Sequence, residues 1–213
     1  MTDTSKLIAE DLLSIKAVFL KPDDPFTWAS GIHSPIYCDN RLTLSDVKVR
    51  TDVEDAIATT VKEHFPECEA LMGTATAGIA HAALAADRLS MPMGYVRAGA
   101  KDHGRKNQIE GRCEPGTKVV VIEDLISTAG SSLEVVDVLR EAGVEVLGMV
   151  AIFTYGMKKG IDRMKEANLT WYTLSNLDVL AEVAVEKGYI KPEDQQKLLQ
   201  FRDNPSDESW MQK

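Results

Sequence analysis

The chain has 213 residues and a formal net charge of −9; 44% of its residues are hydrophobic and 27% are charged. That is enough apolar material for one core domain of ordinary soluble composition, and the acidic balance argues against a general nucleic-acid binder, which needs a positive face. The longest apolar run, Val146 to Phe153, has eight residues, against the roughly 20 that a membrane-crossing helix requires.

The first segment, MTDTSKLIAEDLLSIKAVFL, carries acids and reads as an amphipathic helix over 5–18, with Ile8, Leu12, Leu13 and Ile15 near one face, and not as a signal peptide. Cys38, Cys68 and Cys113 lack metal-ligand spacing, and their odd number argues against a disulfide framework. Reduced thiols in a cytoplasmic protein are expected. Pro22 to Arg41 is dense in Pro, Gly, Asp and Asn and predicts loop with short strands. Ser45 is placed to cap a helix over 46–64, in which Val49, Val53, Ile57 and Val61 recur at helical spacing. A short buried strand over 70–72 leads into GTATAG, followed by an alanine-rich helix over 79–89 and a strand over 93–96. His64 and His81 fall in helical stretches and read as packing or surface residues.

Val119 to Ile122 is the next predicted strand, and a helix follows from Ser131, which with Glu134 fits a capping box. Gly143 can end that helix, and 144–153 supplies another strand. The tail predicts helices over 176–187 and 192–202. Strands alternating with helices at this spacing imply βαβ units and a mostly parallel sheet, with ligands outside the carboxyl ends of the strands. Both GTATAG and EDLISTAGS fall at such ends.

The second of these, within VVVIEDLISTAGSS, sets two opposed chemistries side by side. Glu123 and Asp124 repel phosphate, whereas Ser127, Thr128, Ala129, Gly130 and Ser131 leading into a helix attract it through backbone N–H groups and hydroxyls. A ribose 5-phosphate satisfies both, with its hydroxyls at the acids and its phosphate in the loop. No GxGxxG and no GxxxxGK[ST] occurs, so dinucleotide-binding and Walker readings lose their signatures. Upstream, Arg97, Lys101, His103, Arg105, Lys106 and Arg112 face only Asp102 and Glu110, a basic island suited to a polyanion.

These residues resemble the type I phosphoribosyltransferase family. VVVIEDLISTAGSS is similar to its phosphoribosyl diphosphate (PRPP) signature. YVRAGAKDHGRKNQIEG resembles the catalytic loop of the orotate phosphoribosyltransferases, and FTWASGIHSPIYCDNR resembles their N-terminal substrate hood. The resemblance implies a parallel sheet flanked by helices, with helix and hood over 1–42, a PRPP-binding core over 43–175 and C-terminal helices over 176–213. It also implies a transferase joining orotate N1 to C1 of PRPP, with Mg²⁺ bound mainly through PRPP. It further implies a homodimer whose loop 97–111 reaches the neighbouring site.

Carried over by position, Arg97, Lys101 and His103 would engage the diphosphate and Glu123 and Asp124 the ribose. Leu125, Ile126 and the residues from Ser127 to Ser131 would form the PRPP cradle, with Ser127 also near the orotate ring. Lys101 and Asp124 would act in catalysis. Some members carry cations where this chain has Ala29, Ala77, Ala98 and Tyr155. Arg41, or His33, is therefore expected to take over part of the orotate carboxylate contact, and Trp28 to line the hood or pack beneath it. A purine or uracil transferase would share the PRPP site but not this hood. A PRPP-sensing regulator that binds nucleic acid would need a winged helix or a basic stripe.

Overall fold

The structure, a computed structural model, describes residues 2–28, 31–97 and 108–211. From the N-terminus run α1 (Thr2–Ser14), β1 (Val18–Leu20), β2 (Phe26–Thr27), β3 (His33–Ser34), β4 (Ile36–Cys38), a 3-10 turn (Asn40–Ser45), α2 (Val47–His64), β5 (Ala70–Thr74) and α3 (Ala77–Leu89). There follow β6 (Met93–Val96), β7 (Ile109–Glu110), β8 (Lys118–Ile126), α4 (Gly130–Glu141), β9 (Glu145–Thr154), α5 (Lys158–Glu166), β10 (Trp171–Asn176), α6 (Leu177–Glu186) and α7 (Pro192–Asp203). One six-stranded sheet has the order β10-β9-β8-β5-β6-β7, parallel except for β7. Two antiparallel pairs, β1 with β4 and β2 with β3, form the hood. Among the described residues no helix is long and apolar enough to cross a membrane.

The sheet is covered on both faces, and strand alternation sorts its side chains between them. Val120, Ile122, Val150 and Ile152 join the core beneath α1, α2, α3 and α6. Val119, Val121, Met149 and Ala151 join the core beneath α4 and α5. All eight are fully buried, each worth roughly 1.5–3 kcal/mol for a side chain of valine size or larger. The apolar runs in β8 and β9 therefore fix the centre of the sheet and, with it, where the acids after Ile122 emerge.

Several boundaries differ from expectation for local reasons. Helix α1 stops at Ser14, not at 18, because Lys16 takes a left-handed φ of 57° and Val18 turns into β1. Asp46, not Ser45, caps α2: its extended backbone lets Oδ1 accept from Val49 N at 3.0 Å, while Ser45 belongs to the preceding turn. The Ser131–Glu134 capping box does not form, since α4 begins one residue earlier with Ala129 as its cap. Strand β8 runs through both acids to Ile126 instead of ending at Ile122. Helix α5 and strand β10 were not expected at all.

Candidate active site

The two acids of β8 are neighbours at one cavity but are not equivalent. Glu123 is buried, and its carboxylate is taken up internally: Oε1 accepts from Thr74 Oγ1 at 2.7 Å and from Asp124 N at 2.9 Å, and Oε2 from Ser132 Oγ at 2.7 Å. Glu123 thus makes internal hydrogen bonds in the ligand-free chain, where the sequence reading assigns both acids to the ribose hydroxyls. Glu123 ties β8 to β5 and α4, and Asp124 is the more accessible carboxylate. Burial, and then the neighbouring Glu123, push the Asp124 carboxyl up to about 7. Such a group is relieved by hydroxyl donors or a cation arriving beside it.

Beyond Ile126 the chain turns back on itself. Ile126 O accepts from Tyr155 N and from Thr154 Oγ1, both at 3.1 Å. Thr128 O accepts from Arg163 Nη1 at 3.1 Å, and Ser127 O lies against Gly160 of α5. With two successive carbonyls facing α5, planar trans peptides turn the following N–H groups, those of Thr128 and Ala129, the other way. Ala129 then takes a left-handed φ of 60°, a conformation that costs a non-glycine residue about 1 kcal/mol, and α4 starts at Gly130. The first amides of α4 have no partner within the helix and point out of its N-terminus. Small side chains leave them open to an anion.

A cavity of about 270 Å³ lies in front of this loop. Thr74 to Ala77 form one wall, Glu123, Asp124 and Leu125 the floor, Ser131 and Glu134 the α4 side, and Arg97 with Gln108 the rim. The GTATAG segment can close in because Gly78 has no side chain: a Cβ there would sit 2.5 Å from both Ile122 O and Thr74 Oγ1. Arg97 Nε is 2.8 Å from Glu110 Oε1. Lys101 and His103, with Ala98 and Ala29, lie outside the described residues.

A second cavity, about 560 Å³, opens on the other side of Leu125 and is lined by Phe26, Thr27, Trp28, Tyr37, Cys38, Ser127 and Tyr155. Leu125 and the 123–131 segment thus border both cavities. Trp28 lies with its ring centroid 5.7 Å from those of Tyr155 and Phe201, so it both lines the hood and packs. His33 instead has Nδ1 2.6 Å from Glu208 Oε1. Arg41 is not brought to this cavity. Its Nε and Nη2 donate to Asp39 at 2.7 and 2.8 Å, a bidentate pair two residues apart in sequence, on an exposed turn. Arg41→Ala should therefore change the orotate KM by no more than about twofold, the scale of a surface substitution; steady-state titration of orotate checks this.

His81 is buried with Nδ1 2.9 Å from Glu54 Oε1, and His64 stacks on Tyr172 at 3.8 Å between centroids. Both are structural. The residues that sequence reasoning missed are supports: Thr74 and Ser132 on Glu123, and Arg163 and Gly160 behind the loop. Among the described residues no group of three or more His, Cys, Asp or Glu could hold a metal by itself. Asp124 offers the hard oxygen donor that magnesium takes, so the site fits an ion held chiefly by its substrate.

Residues 47–185 match the model of the phosphoribosyl transferase domain. A protein of Bacillus cereus (strain G9842) named orotate phosphoribosyltransferase is 57% identical over 206 residues, covering 97% of this chain and 98% of its own length. The protein of that name from Bacillus subtilis (strain 168) is 57% identical over 208 residues, covering 98% of this chain and 96% of its own. The crystal structure of orotate phosphoribosyltransferase from Aeropyrum pernix superposes with a TM-score of 0.74 at 28% identity, over 86% of this chain and 99% of that one. The family-model match over 47–185, together with 57% identity across nearly the whole chain, places this chain in the phosphoribosyltransferase family, among the orotate phosphoribosyltransferases.

Proposed function

We propose that the chain transfers the ribose 5-phosphate group of PRPP to N1 of orotate, giving orotidine 5′-monophosphate and diphosphate, a step in making UMP. One observation carries this reading: a polar, loop-bounded cavity and an aromatic-lined cavity meet at Leu125, next to Asp124. The 5-phosphate is held by the 127–131 amides and hydroxyls, the ribose hydroxyls by Asp124, and the flat base lies among Trp28, Tyr37 and Tyr155 with Ser127 at its edge. In the reaction the N1–C1 bond forms as the C1–oxygen bond to diphosphate breaks, and diphosphate leaves with the electron pair. Anionic orotate needs no general base.

The chain's own work is electrostatic. Asp124 stabilises positive charge developing on the ribose, and Arg97, Lys101 and His103 meet the departing diphosphate. Magnesium, bound with PRPP, supplies further charge to neutralise that leaving group. Gly99 and Gly104, outside the described residues, are the sequence positions at which we propose that the 97–111 segment opens for exchange and closes against water. We place the enzyme in the cytoplasm as a homodimer whose loop serves the neighbouring site.

Loss of orotate's ultraviolet absorbance with purified protein, PRPP and Mg²⁺ tests the reading, beside hypoxanthine and uracil. Loss with orotate alone, abolished by a chelator and restored by Mg²⁺, is the expected result. Turnover of another base, or PRPP binding by calorimetry without turnover, would overturn it.

A further inference from the structure

Pairing of β5 with β8 stops at Gly73 and Ile122. Beyond it, Ile122 O still receives Thr74 Oγ1 at 3.3 Å. Carbonyls two residues apart in a strand face the same edge, so Asp124 O faces the edge where β5 has already ended. A side chain from the hood takes that position: Asn40 Nδ2 donates to Asp124 O at 2.6 Å. Asn40 is fully buried, and its Oδ1 and backbone carbonyl are also committed. Oδ1 accepts from Cys38 Sγ at 3.2 Å, and its backbone carbonyl accepts from Thr43 Oγ1 at 2.6 Å. Burial pushes the Cys38 thiol well up, so it remains a neutral S–H donor. That donor fixes the amide: turned over, Oδ1 would face the Asp124 carbonyl. Cys38 N in turn donates to Tyr155 Oη at 3.2 Å.

Three hydrogen bonds therefore run from Tyr155, in the wall of the aromatic cavity, through Cys38 and Asn40 to the backbone of Asp124. We propose that Asn40 is a positioning residue that joins the base cavity to the ribose end of the polar cavity, setting where Asp124 stands relative to a base resting on Tyr155. This rests on the reaction proposed above. Asn40 touches no substrate; it acts through Asp124. Misplacing a charge by about 1 Å near the reacting carbon can reduce turnover by up to about a hundredfold, whereas the 5-phosphate loop, held from α5, is untouched.

The test is Asn40→Leu, which keeps the branched shape at a larger volume and removes both side-chain hydrogen bonds, combined in a double-mutant cycle with Tyr155→Phe. PRPP affinity by calorimetry should fall by less than kcat, because only the ribose contact at Asp124 moves while the phosphate loop keeps its seat, kcat should fall about tenfold or more, and the two substitutions should be non-additive in kcat because they break one chain. If Asn40→Leu does not fold, Asn40→Ser takes its place in the same cycle. A kcat within about twofold of the parent, or effects that simply add, would overturn the proposal, as would a fall in PRPP affinity that accounts for the whole loss. Wild-type turnover of orotate, run alongside, separates such a failure from failure of the reaction itself.

Discussion

Asp124→Asn is expected to lower kcat/KM by about 10²–10³-fold, the scale of removing one preorganised electrostatic group from a reacting centre, while raising the protein's stability at alkaline pH. Both effects come from the same desolvation. In the free protein the Asp124 carboxyl is raised from 3.8 to about 7 by burial first and by Glu123 second, with His81 opposing. If the ionised form is the active one, kcat/KM climbs as pH rises through about 7 and levels off above it. Whatever part of that limb persists in Asp124→Asn belongs to the phosphates of PRPP. For stability the sign runs the other way. Between about 4 and about 7 the folded state holds a proton that the unfolded chain has released, so wild-type stability declines with rising pH across that window and stays lowered above it. An asparagine never has to ionise. At pH 8 the variant should be more stable by about 2–4 kcal/mol, several degrees of melting temperature, and the gap should close towards pH 4. Melting curves at pH 4, 6 and 8 measure it. A variant no more stable at pH 8 than at pH 4, relative to wild type, would mean that Asp124 is not held under strain by its neighbours.

The sheet, and a loop of small residues leading into α4, were legible because their signals are local. Val119 to Ile122 and Val146 to Phe153 are runs too apolar to lie anywhere but the centre of a sheet, and small residues after a strand leave amides open. What escaped was the division of labour between Glu123 and Asp124. It depends on Thr74, far from Glu123 in sequence, and Ser132, on the next helix, closing on its carboxylate, and in the string the two acids look like one feature. Arg41 was legible in the opposite sense: Asp39, two residues away, already offered it a partner. The capping box at Ser131 failed because the loop needs its helix to start from a left-handed Ala129, a tertiary demand invisible in the S-x-x-E pattern. Helix α5 has only Ile161 and Met164 as sizeable apolar residues across nine positions, with Gly160 between Lys159 and Ile161, so its helical spacing rests on too few residues to be picked out of the string. Its purpose is the loop it supports.

That purpose makes Gly160→Ala the second large effect, and one in which two physical tendencies oppose each other. In an exposed helix, replacing glycine by alanine stabilises by roughly 0.5–1 kcal/mol, because alanine is the better helix former and restricts the unfolded chain. Here the added Cβ would stand 2.5 Å from Ser127 O and 3.5 Å from the carbonyl carbons of Ser127 and Thr128. Those are backbone atoms, so no side chain can swing aside. Either α5 withdraws, lengthening the Arg163 Nη1 to Thr128 O bond of 3.1 Å, or the loop is pushed forward into the space we propose for the 5-phosphate. Overpacking of this kind typically costs about 1–3 kcal/mol, which exceeds the helix-propensity gain. Because a bound 5-phosphate needs the loop back in its present seat, that strain falls on binding, and since each 1.4 kcal/mol is a factor of ten, PRPP affinity should weaken by up to about tenfold to a hundredfold, although Gly160 lies behind the loop. Isothermal calorimetry with PRPP and a urea melt of the same preparation read the two terms separately. An alanine variant that melts later and binds PRPP like the parent would show that helix propensity wins and that the loop is not seated on α5.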